Sequence, residues 1–172
     1  IYEIYKRIIN KSNVGLQWDL IKKIQEIRDK YKGDNFIYDL CLLIYYTSDQ
    51  ELNSTVAQVY PILYSLDSYD KNILNDELLK TKSYEILLNI KNFNYENYKI
   101  DYNMLKKFFI ELNSTMSNIS NKNFILFKIP TDITDCIIIL KKYQKLFIKK
   151  SIYLEKKLNM IVTEVIEDIK KI

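Results

Sequence analysis

The sequence predicts an all-α fold: an elongated four-helix bundle, or five helices on a closely competing count, ending in one long C-terminal helix. Three observations carry this. The chain has two Gly and two Pro in 172 residues. All-β folds need turn residues about every 8–12 positions, and α/β folds need glycine at phosphate loops and helix ends. Residues 131–172 run for 42 positions without a Gly or a Pro, and as one helix would extend about 60 Å at ~1.5 Å per residue. Apolar residues recur along that run on one stripe, so companions of similar reach are needed to cover it.

The other elements follow in order. Tyr2–Asn10 is a short amphipathic stretch, Ser12-Asn13 can cap a new start, and Gly15 is a weak point. Leu16, Leu20, Ile24 and Ile27 then share one helical face, and Gly33 marks the stop. Asp34 or Asn35 caps a helix bearing Ile37, Leu40, Cys41 and Ile44. Ser48 and Glu51 match a capping box, so the helix restarts or kinks there. It continues through Leu52, Val56, Val59 and Leu63, bent at Pro61. Asp67–Asp70 is a turn. Ile73, Leu74, Leu78, Ile86 and Ile90 mark a helix to about Phe93, and 92–98 is a loop. Met104, Leu105, Phe108, Phe109 and Leu112 begin another helix that weakens over 113–123. Phe124–Ile129 reads as extended and Pro130 stops it, after which Thr131 caps the last helix with Asp132 and Asp135 in its first turn. The four expected segments are 16–32, 35–66, 70–118 and 131–172, the third broken by a loop near 94–100, all in a single domain, 1–172.

In the last helix, a strict alternation of four and three gives Ile133, Ile137, Leu140, Gln144, Phe147, Ser151, Leu154, Leu158, Ile161, Val165, Asp168 and Ile172. Ile148, Ile152, Val162, Ile166 and Ile169 widen it toward the core. Gln144 and Ser151 interrupt it. Buried without partners each would cost about 1–3 kcal/mol. They specify register, accompany a shift of the buried face toward Ile148 and Ile152, or mark a bundle built to open.

Chemistry is constrained mainly by absence. The chain has no His, which removes the commonest general base and metal ligand and excludes Ser-His-Asp, Cys-His and Glu-x-x-His di-iron chemistry. No phosphate loop can be built from Gly15 and Gly33 alone, and pairs such as Asp76-Glu77 are ordinary on solvated helices. The expectation is a non-enzyme without cofactor or metal. Cys41 and Cys136 lie in apolar runs, as two buried thiols or one interhelix disulfide. Four N-x-[ST] sequons start at Asn10, Asn53, Asn113 and Asn118, as chance allows in an Asn-rich chain. Trp18 and the 15 tyrosines suit core edges, or an exposed recognition surface. A chain opening on Ile1 is expected to be trimmed, so the lack of a secretory leader is uninformative. No apolar run approaches 18 residues.

Charge is segregated. Residues 141–157 hold seven lysines (Lys141, Lys142, Lys145, Lys149, Lys150, Lys156 and Lys157) and one acid, Glu155. Residues 33–81 hold eight acids against Lys71 and Lys80. The two segments complement each other inside the bundle, or the lysines form a surface for anionic membrane. Tyr143, Phe147, Ile148 and Tyr153 interleave with them, as in a basic amphipathic helix. Because the same helix serves the core, membrane contact is expected to require an opened bundle. Nucleic acid is a poor partner, since Lys outnumbers Arg 24 to 2 and arginine is the preferred base-reading residue.

The abundance of Ile, Lys, Asn and Tyr, with Ala57 the only alanine, follows A/T-rich codons and points to a source such as a malaria parasite or a large DNA virus. With that bias, its size and its long run Thr131–Ile172, the chain resembles the small, non-perforin helical-bundle proteins that malaria-parasite sporozoites need for cell traversal. The resemblance implies a secreted, micronemal four-helix bundle acting as a monomer when sporozoites cross host cells, on a host membrane or on a host or parasite protein. It rests on no diagnostic motif and carries over no site residue. A poxvirus Bcl-2-like inhibitor, binding a partner helix in an apolar groove, is the alternative, with 36–46 and 133–140 as its buried helices. A purely structural interaction protein is the third reading.

Overall fold

A computed structural model describes residues 14–118 and 129–172, with side chains for 22–114 and 129–172. The expected stretch 2–10, the Ser12-Asn13 cap, the sequon at Asn10 and the segment 119–128 lie outside the described residues, as do the side chains of Leu16, Trp18 and Leu20. Among the described residues the fold is all-α, with eight α-helices and no strand.

Helix α1 (Val14–Lys30) runs through Gly15 and ends in a turn at Tyr31–Gly33. Asp34 starts α2 (Asn35–Tyr46): its Oδ1 accepts the Ile37 N–H at 3.0 Å. α3 (Asp49–Ala57) restarts at Ser48 as expected, but no capping box forms. The Ser48 hydroxyl instead donates back to the Tyr45 carbonyl at 2.8 Å, and the Glu51 carboxylate faces the Tyr45 hydroxyl. α4 (Val59–Tyr64) follows a one-residue break at Gln58. Pro61 has no N–H for the Ala57 carbonyl and its ring crowds that carbonyl, which accounts for the break one residue after Ala57, at Gln58, and a helix that continues through Pro61 to Tyr64.

Asp67, at φ 46°, turns the chain, a conformation its short polar side chain tolerates. α5 (Lys71–Leu79) is capped by Asp70 and α6 (Lys82–Lys91) by Thr81, whose Oγ1 accepts the Tyr84 N–H at 3.2 Å. This break was not expected. A 3-10 turn at Tyr95–Asn97 leads to α7 (Tyr102–Asn118), which persists into the Asn/Ser-rich segment. α8 (Ile133–Lys170) is 38 residues, about 57 Å. Its N-cap is Asp132 rather than Thr131: Asp132 Oδ1 accepts the Asp135 N–H at 2.8 Å, while Asp135 takes the Thr131 N–H and hydroxyl.

The four expected segments thus keep their places, but the second and third are broken into short helices. α3, α4, α5, α6 and α7 all pack on α8, and α1 lies against α2 and α7. Short helices ranked along the rod cover it, not companions of its own length. The buried residues form one contiguous core running from Ile24 to Val165.

The buried face of α8 departs from the expected stripe in its first half. It runs Cys136, Leu140, Tyr143, Phe147, Ser151, Leu154, Leu158, Ile161 and Val165. Two successive steps of four, Tyr143 to Phe147 to Ser151, form a stutter, which locally relieves the drift between the helical period and a heptad. Tyr143 therefore fills the seam where Gln144 was expected. Its ring stacks on Phe109 at 6.2 Å, and Phe147 meets Phe93 edge-on at 5.3 Å. Ile133, Ile148 and Ile152 are corrected from core to surface, at 54%, 48% and 64% exposure. Ile148 and Ile152 lie about 100° past Phe147 and Ser151, and unlike Val162, placed the same way after Ile161, they are not covered.

Candidate functional site

The outward face of α8 is where the basic run and unexpected apolar exposure coincide. Residues 138, 141, 142, 145, 149, 152, 153 and 156 recur at three- and four-residue spacing and share one side of the helix. Ile138, Ile152 and Tyr153 are exposed there, with Ile148 at the edge and Met160 one turn beyond, among the exposed Lys141, Lys142, Lys145, Lys149 and Lys156. No acid occurs between Cys136 and Leu154. The row from Ile138 to Lys156 is about 27 Å long. Among the described residues, Lys141, Lys145, Lys149 and Lys156 form no ion pair.

Two of the seven lysines are used differently. Lys150 turns inward and its Nζ meets Asp49 Oδ1 at 2.7 Å. Lys157 lies with its Nζ 5.6 Å from the Tyr153 ring centroid, a cation–π distance. The complementary-charge reading therefore holds for Lys150 and the acidic segment. The acid of the run, Glu155, faces Lys91 at 3.5 Å.

The two polar interruptions are both satisfied. Ser151 is buried, and its hydroxyl donates to the Ile148 carbonyl of its own helix at 2.7 Å. Gln144 is half-buried and its Oε1 accepts the Tyr95 N–H at 3.4 Å. Neither leaves an orphaned polar group, and the buried face does not shift toward Ile148 and Ile152.

Beyond Asn159 the helix changes sign. Glu164 Oε2 accepts the Tyr60 hydroxyl at 2.7 Å, and Asp168 accepts that of Tyr64. These two bonds, four residues apart on both helices, clamp α4 to α8. Tyr31 with Glu111 and Tyr98 with Asp39 repeat the device elsewhere. Burial, and then the facing carboxylate, push Tyr31, Tyr64 and Tyr98 up to about 12.

A second cluster gathers Arg28, Tyr38, Cys41, Tyr45 and Glu51. The Arg28 guanidinium lies 5.3 Å from the Tyr38 ring centroid, and its Nε has no hydrogen-bond partner among the described residues. Asp29 stands at 4.0 Å from that nitrogen, beyond hydrogen-bond reach. Burial pushes the Cys41 thiol up to about 12, against a smaller opposing effect of Arg28. Cys136 is raised as well, again mainly by burial. Both are free, buried thiols; a nucleophile needs the thiolate, so these are core residues. No group of three His, Cys, Asp or Glu suited to a metal occurs among the described residues. The sequon at Asn53 lies inside α3, where the buried Thr55 hydroxyl donates to the Glu51 carbonyl at 2.7 Å.

The lysines were legible in the sequence; the outward apolar row was not. The available signal was Gln144 itself, since a polar residue next to Tyr143 marks where a regular four-three template fails. No protein-family model, curated protein or solved structure matches the chain. No helix among the described residues is long and apolar enough to cross a membrane.

Proposed function

We propose that this chain is a non-enzymatic helical protein that works by contact with an anionic membrane, through the outward face of α8. The observation that supports it most is the coincidence of Lys141, Lys145, Lys149 and Lys156, none of them ion-paired among the described residues, with the exposed Ile138, Ile148, Ile152 and Tyr153 on one side of one helix. Each lysine near an anionic bilayer contributes about 1 kcal/mol. Apolar side chains at the headgroup boundary add to this in proportion to the area they bury. The biological setting proposed is host-cell traversal by parasite sporozoites, as a secreted, micronemal protein, on the strength of the resemblance drawn from the sequence.

The test is co-sedimentation with vesicles of neutral lipid and with vesicles containing an acidic phospholipid. Binding is expected only to the acidic vesicles, and Lys141→Glu/Lys145→Glu/Lys149→Glu together are expected to abolish it with the helical circular-dichroism signal intact. Lys150 is left out because its substitution would also break the bond to Asp49. Equal sedimentation of the triple variant and the parent would overturn the assignment to this face.

A further inference from the structure

Helix α8 has two apolar faces with no residue in common. On the inner one, Phe147, Leu154 and Leu158 are each at most 1% exposed. The outer one holds Ile148 and Ile152, each one position past a buried residue. Opening the fold would uncover the inner face. It would also break Lys150–Asp49, Lys91–Glu155, Tyr60–Glu164 and Tyr64–Asp168, which fasten α3, α6 and α4 to the rod. The outer row, by contrast, is already exposed with the fold closed.

We infer that the closed fold docks on a bilayer bearing acidic lipid, with α8 along the interface from Ile138 to Lys156, and that no helix leaves the core. This rests on the membrane reading above and adds its mode. Ile148 and Ile152 enter the headgroup boundary. Lys141, Lys145, Lys149 and Lys156 reach lipid phosphates, their long stems letting the ammonium groups stay at the polar level while the isoleucines go deeper. A soluble polyanion would engage the lysines alone and has no use for the isoleucines; a bilayer offers both a charged layer and an apolar one. The acidic end, with Glu164, Glu167 and Asp168, is repelled by the same lipid, so the last turns of α8 lift from the surface.

Cys41 and Cys136, 1% and 0% exposed, report on opening. A thiol reagent reaches them only when the core separates. The experiment binds the protein to phosphatidylcholine vesicles with and without phosphatidylserine and follows alkylation of both thiols. On phosphatidylserine vesicles the thiols are expected to stay as protected as in solution. Ile148→Asp/Ile152→Asp, and the milder Ile148→Ser/Ile152→Ser, should lower partitioning, the aspartates by about tenfold or more, with thiol protection unchanged in solution. Rapid alkylation of vesicle-bound protein would overturn the closed mode while leaving the membrane reading in place. Undiminished binding of both isoleucine variants would overturn insertion in favour of charge alone. Failure of the parent protein to bind either vesicle would overturn the membrane reading itself.

Discussion

Lys150 Nζ stands 2.7 Å from Asp49 Oδ1, a bond that joins the middle of α8 to the first turn of α3. Lys149, next in sequence, points outward without an ion pair among the described residues. One turn of the helix thus assigns two adjacent lysines to different tasks. Lys150→Glu places a carboxylate against Asp49 at the start of α3 and should cost about 1 kcal/mol of stability, the range of partly exposed ion pairs. Lys149→Glu should change stability by less than about 0.5 kcal/mol and weaken vesicle binding instead. Urea melts and sedimentation on both variants check this; equal effects on both measurements would show that the two lysines are not distinguished.

The stutter makes a second contrast. Phe147 is buried between Phe93 and Tyr143, so Phe147→Ala should cost about 3–5 kcal/mol, as aromatic truncation in a core does. Ser151 occupies the next seam position, but its hydroxyl is bonded within its own helix. Ser151→Ala leaves no partner orphaned and should fall within about 1 kcal/mol of the parent. Denaturant midpoints of the two variants measure the difference directly. A large loss for Ser151→Ala would mean that the hydroxyl reaches across the seam.

These contrasts mark what was readable from sequence. The all-α class and the long helix followed from missing Gly and Pro, and the starts at Asp34 and Ser48 and the continuation through Pro61 followed from local chemistry. The break at Thr81 escaped because a single threonine inside an apolar pattern is also compatible with an unbroken helix. The outward placement of Ile148 and Ile152 escaped because the stripe was expected to widen evenly along its length, whereas it widens onto Val162 and not onto Ile148 or Ile152. Where a helix shifts its buried face is decided by what packs on it, here Phe109 and Phe93, and those neighbours are distant in sequence.

Glu51 gives a pH signature. Burial raises its carboxyl above the ordinary value, and the hydrogen bond from Tyr45 offsets part of that rise. The folded state therefore holds this proton more tightly than the unfolded chain. Its contribution is favourable below the unfolded value and is lost as pH rises through the folded one. Glu51→Gln keeps an oxygen for the Tyr45 hydroxyl and removes the charge. The melting temperature of Glu51→Gln should match the parent in acid and exceed it at neutral pH. A difference that does not vary with pH would refute the role of the buried charge.

At the alkaline end the tyrosine–carboxylate bonds act together. Tyr31, Tyr64 and Tyr98 move from 10.0 up to about 12, and Tyr60 is raised as well, by burial and then by Glu164. Each folded-state value lies above the unfolded one, so the contribution of Tyr31, Tyr64 and Tyr98 is complete below about pH 10 and is lost as pH rises through about 12, that of Tyr60 later still. The four bonds fasten the turn after α1 to α7, the residue after the 3-10 turn to α2, and α4 to α8, so ionisation should loosen several interfaces at the alkaline end. Tyr60→Phe/Tyr64→Phe removes the α4 pair. It should lower stability at neutral pH by about 1 kcal/mol for the two exposed bonds combined and flatten the alkaline slope. Tyrosinate absorbance followed alongside circular dichroism should show the late-ionising tyrosines titrating together with loss of helix in the parent, and fewer of them in the variant. Full ionisation with the helical signal intact would show that these bonds do not fasten the helices.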